Sequence, residues 1–230
     1  MNKRVKLLSL RGFSLVELLI SLAILSMLIT TATFSYQMLL ERWSKGLNHF
    51  DSNYQSFHRN LLLQSVIKGI FPYVVVNRDG SPSFFFIGDQ DSLLAVTENG
   101  VFDDSFPEVF RLILQKNGDE TFRLIYQGRS MRDFLLLRAD QEIEFDNTLV
   151  LFDDINAFDI SYIGWQNLRE RTTLPVPKAS RYSIYSGINN QLMPMAVEVR
   201  LKSAIGEIFF SSQYNTESFK ELSPYFSEGM

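Results

Sequence analysis

The chain has 230 residues, with 22 Lys+Arg, 26 Asp+Glu, two His and no Cys, and 46% of its residues are hydrophobic. This composition excludes a disordered or collagen-like chain. The lack of cysteine excludes disulfides, thiolate metal sites and thiol nucleophiles. At this length we expect one domain, or one domain with an appendage, held together by packing alone.

A long apolar segment near the N-terminus is the most distinctive feature of the sequence. Residues 18–40 form a run of 23 residues without a charge, Gly or Pro, which is long enough to cross a bilayer as a helix. Four cations, Lys3, Arg4, Lys6 and Arg11, precede the run. Because cationic flanks stay in the cytoplasm, the sequence predicts a cytoplasmic N-terminus and a C-terminal bulk on the other side of the membrane.

Three interpretations of this segment compete. A cleaved secretory signal has an apolar core of about 7–15 residues followed by a small-x-small site, whereas this run is longer and offers no good site. An ordinary signal anchor fits the length but does not account for Glu17. A carboxylate costs about 2.5–3.5 kcal/mol at the centre of a membrane helix and somewhat less near its end. The third interpretation is a prepilin signal, which gives the carboxylate a role.

The run RGFSLVELL at residues 11–19 resembles the processing site of type IV pilin-like proteins, with a basic leader ending in Gly. The resemblance implies that prepilin peptidase cleaves between Gly12 and Phe13 and N-methylates Phe13. It also implies that the span is retained and that Glu17, the fifth mature residue, acts in assembly. The chemistry agrees, since Gly12 cannot obstruct a protease and the Phe13 ammonium gains a carboxylate one turn away. The helix dipole also favours a negative charge at Glu17.

The apolar periodicity continues beyond the span. Apolar residues recur at spacings of three and four, and no Pro occurs before Pro72. This pattern predicts a helix from near Phe13 to about Lys68, with Gly69 and Pro72 as stop signals. Because a strand-rich segment follows, we expect this aromatic stripe to pack on the protein's own sheet rather than in a coiled coil with a partner. The stripe comprises Tyr36, Leu39, Trp43, Leu47, Phe50, Tyr54, Phe57 and Leu61.

These features predict four parts of the chain. Residues 1–12 are a cleaved basic leader, and 13–40 are the half of the helix that spans the membrane and forms a filament core. Residues 41–70 are an amphipathic half, and 71–230 are a periplasmic β-rich domain. A protruding helix that is hydrophobic on all sides is suited to bundling with identical or related helices.

After Pro72 the hydrophobic period changes from 3.6 towards 2, which predicts strands separated by turn clusters. The fold class is therefore α+β, a pilin-like long N-terminal helix packed on antiparallel β-sheets. Residues 167–190, with two Pro and little pattern, are predicted to be a long surface loop. The predicted strands are 73–76, 84–87, 93–97, 109–115, 122–127, 134–138, 148–152, 157–163, 195–202 and 207–213.

The C-terminal region supports a narrower resemblance. The runs LFDDINAFDISY at 151–162, GW at 164–165 and MPMAVEVRL at 193–201 look like the end of pseudopilin J of type II secretion systems. The PilW-type minor pilins of type IV pili have a similar N-terminus and size. Major pilins commonly carry a C-terminal cysteine pair and a helix-bending Pro, where this chain has no Cys and Phe34. The resemblance thus implies a minor, tip or initiation subunit.

The implied partners follow from the same resemblance. They are prepilin peptidase, other pilins or pseudopilins that bundle through their helices, an inner-membrane assembly platform and membrane lipid. Removal of the leader leaves 18 Lys+Arg against 26 Asp+Glu, a net charge of −8. Although Arg169, Arg171, Lys178 and Arg181 concentrate positive charge, a chain this acidic is a poor binder of nucleic acid, so no such partner is predicted.

A signal-anchored envelope enzyme is the alternative from another class. The sequence has no Gly-x-Ser-x-Gly, Gly-x-x-x-x-Gly-Lys or His-Glu-x-x-His motif. His49 and His58 lie about 180° apart around a helix and cannot share a metal ion. Acidic clusters at Asp89, Asp103 and Asp153 lack EF-hand spacing, so they are predicted to be solvated turns rather than calcium sites. We therefore predict no enzyme activity, metal or cofactor.

Overall fold

Helix α1 (Leu15–Lys68) opens the described part of the chain. The computed structural model describes residues 14–118, 121–203 and 206–227, without the side chains of residues 41–54, 226 and 227. A boundary between two compact units falls within α1, between Gln55 and Ser56. The predicted end of the helix near Lys68 is confirmed, whereas its predicted start at Phe13 lies outside the described residues.

The second unit is built around one large antiparallel sheet. Its strand order is β11-β10-β7-β6-β5-β4-β3-β9, with β8 paired to β7, and β1 and β2 form a separate two-stranded sheet. A long helix followed by antiparallel strands confirms the predicted α+β class. The strands are β1 (Val74–Val76), β2 (Pro82–Phe84), β3 (Phe86–Gly88), β4 (Ser92–Thr97), β5 (Glu108–Lys116), β6 (Phe122–Ser130), β7 (Asn147–Gly164), β8 (Ser180–Tyr182), β9 (Tyr185–Ser186), β10 (Ala196–Ser203) and β11 (Gly206–Gln213). The shorter helices are α2 (Leu168–Thr172), α3 (Gly187–Asn190), a 3₁₀ helix (Ser218–Leu222) and α4 (Ser223–Ser227).

Strand β7 gives the sheet its curl. It is 18 residues long, pairing with β6 over its first half and with β10 over its second half. Asp154 has a φ of 56° close to a register shift against β6, and such a bulge bends a strand. The two strands predicted at 148–152 and 157–163 are therefore one, because the polar residues between them continue the strand through the bulge.

The end of α1 contributes one face to the core. Leu63, Val66 and Ile67 are completely or almost completely buried against the sheet. The aromatic stripe lies elsewhere, since Phe57 is 60% exposed and Leu61 is 47% exposed. The prediction that the stripe packs on the protein's own sheet is therefore wrong at these two residues. Leu61 and Leu63 lie about 200° apart around the helix, so only one of them can face the sheet.

The remaining stripe residues divide into two groups. Tyr36 and Leu39 are 61% and 58% exposed. The side chains of Trp43, Leu47, Phe50 and Tyr54 lie outside the described residues.

Two other predictions from the sequence are wrong. The loop predicted at 167–190 contains α2, β8, β9 and α3, because β8 adds to β7 and β9 adds to β3. The strand predicted at 134–138 is absent from the described secondary structure, where this stretch makes a single parallel bridge from Arg138 to Val76. Gln141 prevents a longer ladder, since its side-chain oxygen accepts from Leu137 N–H at 3.1 Å and its amide donates to the Leu135 carbonyl at 3.0 Å.

The strand predicted at 84–87 is divided by the fold. Phe84 ends β2 and Phe86 begins β3, so consecutive parts of this run belong to different sheets. The side chains of Phe84 and Phe86 both enter the main core, while Phe85 points into a second cluster with Val75. A continuous apolar run thus serves two cores.

Candidate processing and assembly segment

Helix α1 starts directly after Ser14. The Leu18 N–H donates to the Ser14 carbonyl at 3.2 Å, which closes the first turn, and Ser is a favoured residue at this position. Glu17 lies in that first turn, where the helix dipole favours a negative charge. Gly12 and Phe13 lie outside the described residues. Cleavage between them and methylation of Phe13 therefore stay predictions from the sequence.

The segment that follows is suited to a bilayer. Residues Leu15–Leu40 form 26 residues of helix with a mean hydropathy of 2.2 and no burial within the chain. Large apolar side chains such as Leu15, at 77% exposure, and Met27, at 75%, surround this part of the helix. An apolar surface of this extent requires lipid or other helices to cover it.

The Glu17 carboxylate is the one charged group of this segment. Ser14, Glu17 and Ser21 share a face of the helix, since they are spaced three and four residues apart. The Ser21 hydroxyl donates to the backbone carbonyl of Glu17 at 2.8 Å and not to its carboxylate. No described residue forms a hydrogen bond or ion pair with that carboxylate, so its partner in lipid must come from outside the described part of the chain.

Five hydroxyl groups of the span, those of Ser21, Ser26, Thr30, Thr31 and Thr33, are satisfied within the helix. Ser26 donates to the Ala23 carbonyl, Thr30 to the Ser26 carbonyl and Thr33 to the Ile29 carbonyl, each at 2.8 Å. These bonds remove the cost of placing the hydroxyl groups in hydrocarbon. Glu17 therefore differs from these hydroxyl residues, a distinction that the three- and four-residue spacings in the sequence could have revealed.

Comparison with protein families agrees with this placement. Residues 10–33 match the family model described as the prokaryotic N-terminal methylation motif. The match contains Gly12, Phe13 and Glu17 and most of the span, up to residue 33. It confirms the type IV pilin-like signal in this segment, and such a signal implies processing by prepilin peptidase and assembly with other pilins. Among the described residues, one helix is long and apolar enough to cross a membrane, which together with this signal is consistent with an anchor in the inner membrane. No curated protein matches the chain significantly.

The acidic clusters considered as calcium sites contain carboxylates with protein donors. Asp153 accepts from Arg123 Nε and Nη2, both at 3.2 Å, and this guanidinium lowers the pKa of Asp153. Asp103 accepts from the Ser130 hydroxyl at 2.6 Å, and this bond lowers the pKa of Asp103. Among the described residues, no group of three or more His, Cys, Asp or Glu side chains is placed to hold a metal ion.

Two cations of the basic cluster and one of the two histidines have defined places. Arg181 on β8 pairs with Glu198 on β10 across the intervening strand β7, and Arg171 stacks 4.7 Å above the Trp165 ring. These two cations therefore contribute to the packing of the region predicted to be a loop. His58 is exposed, and the side chain of His49 lies outside the described residues.

A buried carboxylate was missed by the sequence analysis. Glu108, at the start of β5, is completely buried. Its Oε1 accepts from the Tyr126 hydroxyl at 2.7 Å, and its Oε2 accepts from the Phe102 N–H at 3.1 Å. Burial raises the pKa of Glu108, while the bond from Tyr126 opposes that rise. Glu108 thereby ties the loop between β4 and β5 to the sheet.

Two glycines make room for this carboxylate. A Cβ on Gly128 would overlap the Glu108 carboxylate, and a Cβ on Gly100 would stand 2.5 Å from its Oε2. Glycine at both positions thus permits the close approach of backbone to a charged group. The signal in the sequence was weak, because the three residues are 8 and 20 positions apart and only the pairing of β5 with β6 brings them together.

Proposed function

We propose that this protein is a minor pilin-like subunit of a type II secretion pseudopilus, acting in its tip or initiation complex. In this role its prepilin is inserted in the inner membrane with the leader in the cytoplasm and the β-rich domain in the periplasm. Prepilin peptidase then cleaves after Gly12 and methylates Phe13. The role is mechanical, through bundling of helices on an assembly platform, and includes no catalysis and no cofactor.

The observation that carries the proposal is Glu17 in the first turn of an otherwise uncharged span. Cleavage after Gly12 would place an ammonium at Phe13, four residues before Glu17. Two charges that are each costly in lipid then neutralise one another, within one subunit or between neighbours. The methylation motif at residues 10–33 supports this chemistry, and the resemblance at 151–162 and 193–201 supports the narrower assignment to pseudopilin J.

Intact-mass and N-terminal analysis of protein extracted from membranes tests the processing step. We expect a chain that begins at N-methylated Phe13. A chain that begins at Met1 in cells with active prepilin peptidase would instead support an ordinary signal anchor.

Substitution of Glu17 tests the assembly step. We expect Glu17→Ala to leave insertion and cleavage largely intact and to impair methylation or incorporation into the filament. Glu41→Ala is the matched control, because Glu41 is the next carboxylate along the chain and follows the span. Normal assembly of the Glu17→Ala protein would refute the role given to this residue.

A minor pilin of a type IV pilus, of the PilW type, is the second candidate, favoured by the same N-terminal motif and by chain size. Deletion of the gene separates the two. Loss of secreted enzymes with normal piliation supports the pseudopilus, whereas loss of surface pili, with defects in adhesion, motility or DNA uptake, supports the pilus.

A further inference from the structure

Strand β1 has backbone hydrogen-bonding groups on the side that faces away from β2, and no other strand pairs with them. Phe85 N–H donates to the Tyr73 carbonyl at 2.9 Å, and Val75 pairs with Ser83. Tyr73 and Val75 therefore direct their N–H and C=O groups to β2, and Val74 and Val76 direct theirs to the opposite side. Val76 is paired there, since it donates to the Leu137 carbonyl at 2.9 Å and accepts from the Ala139 N–H at 3.0 Å.

Val74 differs from Val76 because the neighbouring chain does not continue the ladder. Leu137 N–H, which a longer ladder would direct to β1, donates instead to the Gln141 side chain at 3.1 Å. Among the described residues, none forms a hydrogen bond with the N–H or C=O of Val74 on this side. One donor and one acceptor, spaced as in a strand, thus face outward from the edge of β1.

A groove lies where the missing strand would be. It has a volume of about 480 Å³, and Val76 and Leu137, at 45% and 57% exposure, lie along it. Its other boundary is formed by Glu221 and Tyr225, four residues apart in the C-terminal helical turns, which Leu222 anchors in the main core. The groove is therefore apolar along most of its length, with a carboxylate at its border.

We propose that this groove binds an extended peptide segment of a different protein, which adds as a strand to β1 beside Val74. A backbone donor and acceptor on one residue of a strand edge are satisfied together by a peptide in extended conformation. The apolar walls fit apolar side chains at alternate positions of that peptide. Glu221, which forms no ion pair with any described residue, selects a Lys or Arg at the end beside it. The inference does not depend on the proposed function.

A defined peptide tests the proposal with the full-length protein in detergent micelles. The probe is a fluorescein-labelled Lys-Val-Thr-Val-Thr-Val peptide, and its binding is followed by fluorescence polarisation. We expect saturable binding that weakens at least about tenfold when alternate backbone nitrogens of the peptide are methylated, because each methyl group removes a donor. Absence of saturable binding, or equal binding of the methylated peptide, would overturn the proposal.

Substitutions in the chain locate the binding. Val74→Pro removes the outward N–H without touching the bonds to β2, and Pro is tolerated at a strand edge. Val74→Ala, which keeps the N–H, is the matched control. We expect Val74→Pro to weaken binding at least about tenfold and Val74→Ala to change it little. Equal binding by the wild type and a folded Val74→Pro variant contradicts the proposed edge.

Glu221→Lys provides a second variant that does not alter β1. The variant should bind the Lys peptide more weakly than wild type does, and it should bind a peptide in which Glu replaces that Lys more tightly than wild type does. No change with either peptide contradicts the role of Glu221. Two further results would assign the groove to another occupant and overturn the proposal. A tenfold gain in peptide binding after deletion of residues 228–230 would assign the groove to the C-terminal residues of this chain. Self-association of the full chain that Val74→Pro abolishes would assign it to a second copy.

Discussion

Removal of the hydroxyl that Tyr126 donates to Glu108 should destabilise the protein by an amount that depends on pH. Tyr126→Phe keeps the buried ring, which stacks on Phe110 with centroids 5.7 Å apart, and deletes only the 2.7 Å bond to Oε1. A hydrogen bond to a charged group contributes about 1.5–3 kcal/mol, and a neutral one contributes about 1 kcal/mol. The expected loss of unfolding free energy is therefore about 2 kcal/mol when Glu108 is ionised and about 1 kcal/mol when it is protonated.

The raised pKa of Glu108 sets the direction of this pH dependence. Its ordinary value is 4.5, and burial raises it in the folded state. Glu108 is protonated in both folded and unfolded chains below about pH 4.5, and it is ionised in both above its folded pKa. The effect of Tyr126→Phe should therefore be smallest in acid and should grow as pH rises through the folded pKa.

Thermal unfolding of the full chain in detergent micelles, followed by near-ultraviolet circular dichroism, measures this effect. For a domain of this size, 1 kcal/mol shifts Tm by about 2–4 °C, so we expect a fall of about 4–8 °C at pH 7 and about half of that below pH 4.5. Tyr162→Phe is the matched control, since it removes a 3.0 Å bond to a backbone carbonyl of Asp89. An equal and pH-independent loss in both variants would refute an ionised Glu108 as the acceptor.

Four further substitutions test the buried charge and the packing. Glu108→Gln removes the buried charge, so the stability of this variant relative to wild type should improve as pH rises from 4 to 7. The same thermal unfolding experiments measure this difference, and a difference that stays constant with pH contradicts the raised pKa of Glu108. Leu63→Ala should lower the free energy of unfolding by about 2–5 kcal/mol, whereas Phe57→Ala should change it by less than about 0.5 kcal/mol. Equal losses in Tm would instead support the prediction that the aromatic stripe packs on the sheet. Gly128→Ala should destabilise more than Phe57→Ala, because its methyl group overlaps the Glu108 carboxylate, and an unchanged Tm would show that the loop between β4 and β5 adjusts freely.

The elements that the sequence predicted well depend on local patterns. Alternation of apolar and polar residues located β10 and β11, and Gly69 with Pro72 located the end of α1, because side-chain direction and backbone breaks follow directly from neighbouring residues. The processing segment was predicted for the same reason, since Gly12, Phe13 and Glu17 lie within six residues of one another.

The features that the sequence analysis missed depend on contacts between distant residues. The face of α1 that enters the core is decided by the sheet, and aromatic residues such as Phe57 are as apolar as the Leu63 that is buried. Residues 134–138 have a strand-like composition, yet the Gln141 side chain occupies the bonds that a second strand needs. Glu108 had no local signal because its donors lie on the loop before it and on strand β6.

Glu17 and Glu108 show how the chain treats a carboxylate in apolar surroundings. Glu108 is satisfied by Tyr126 and the Phe102 N–H within its own fold, so it stabilises the loop without any other molecule. The hydroxyls of Ser26, Thr30 and Thr33 are likewise satisfied by their own helix. Glu17 alone among these polar groups has no partner in the described part of the chain, although a pairing side chain three or four residues later would have cost no change of fold. In the function proposed above, this charge is neutralised only when an ammonium is brought to it, which would couple the retention of the span to processing at Phe13 and to contact with a neighbouring subunit.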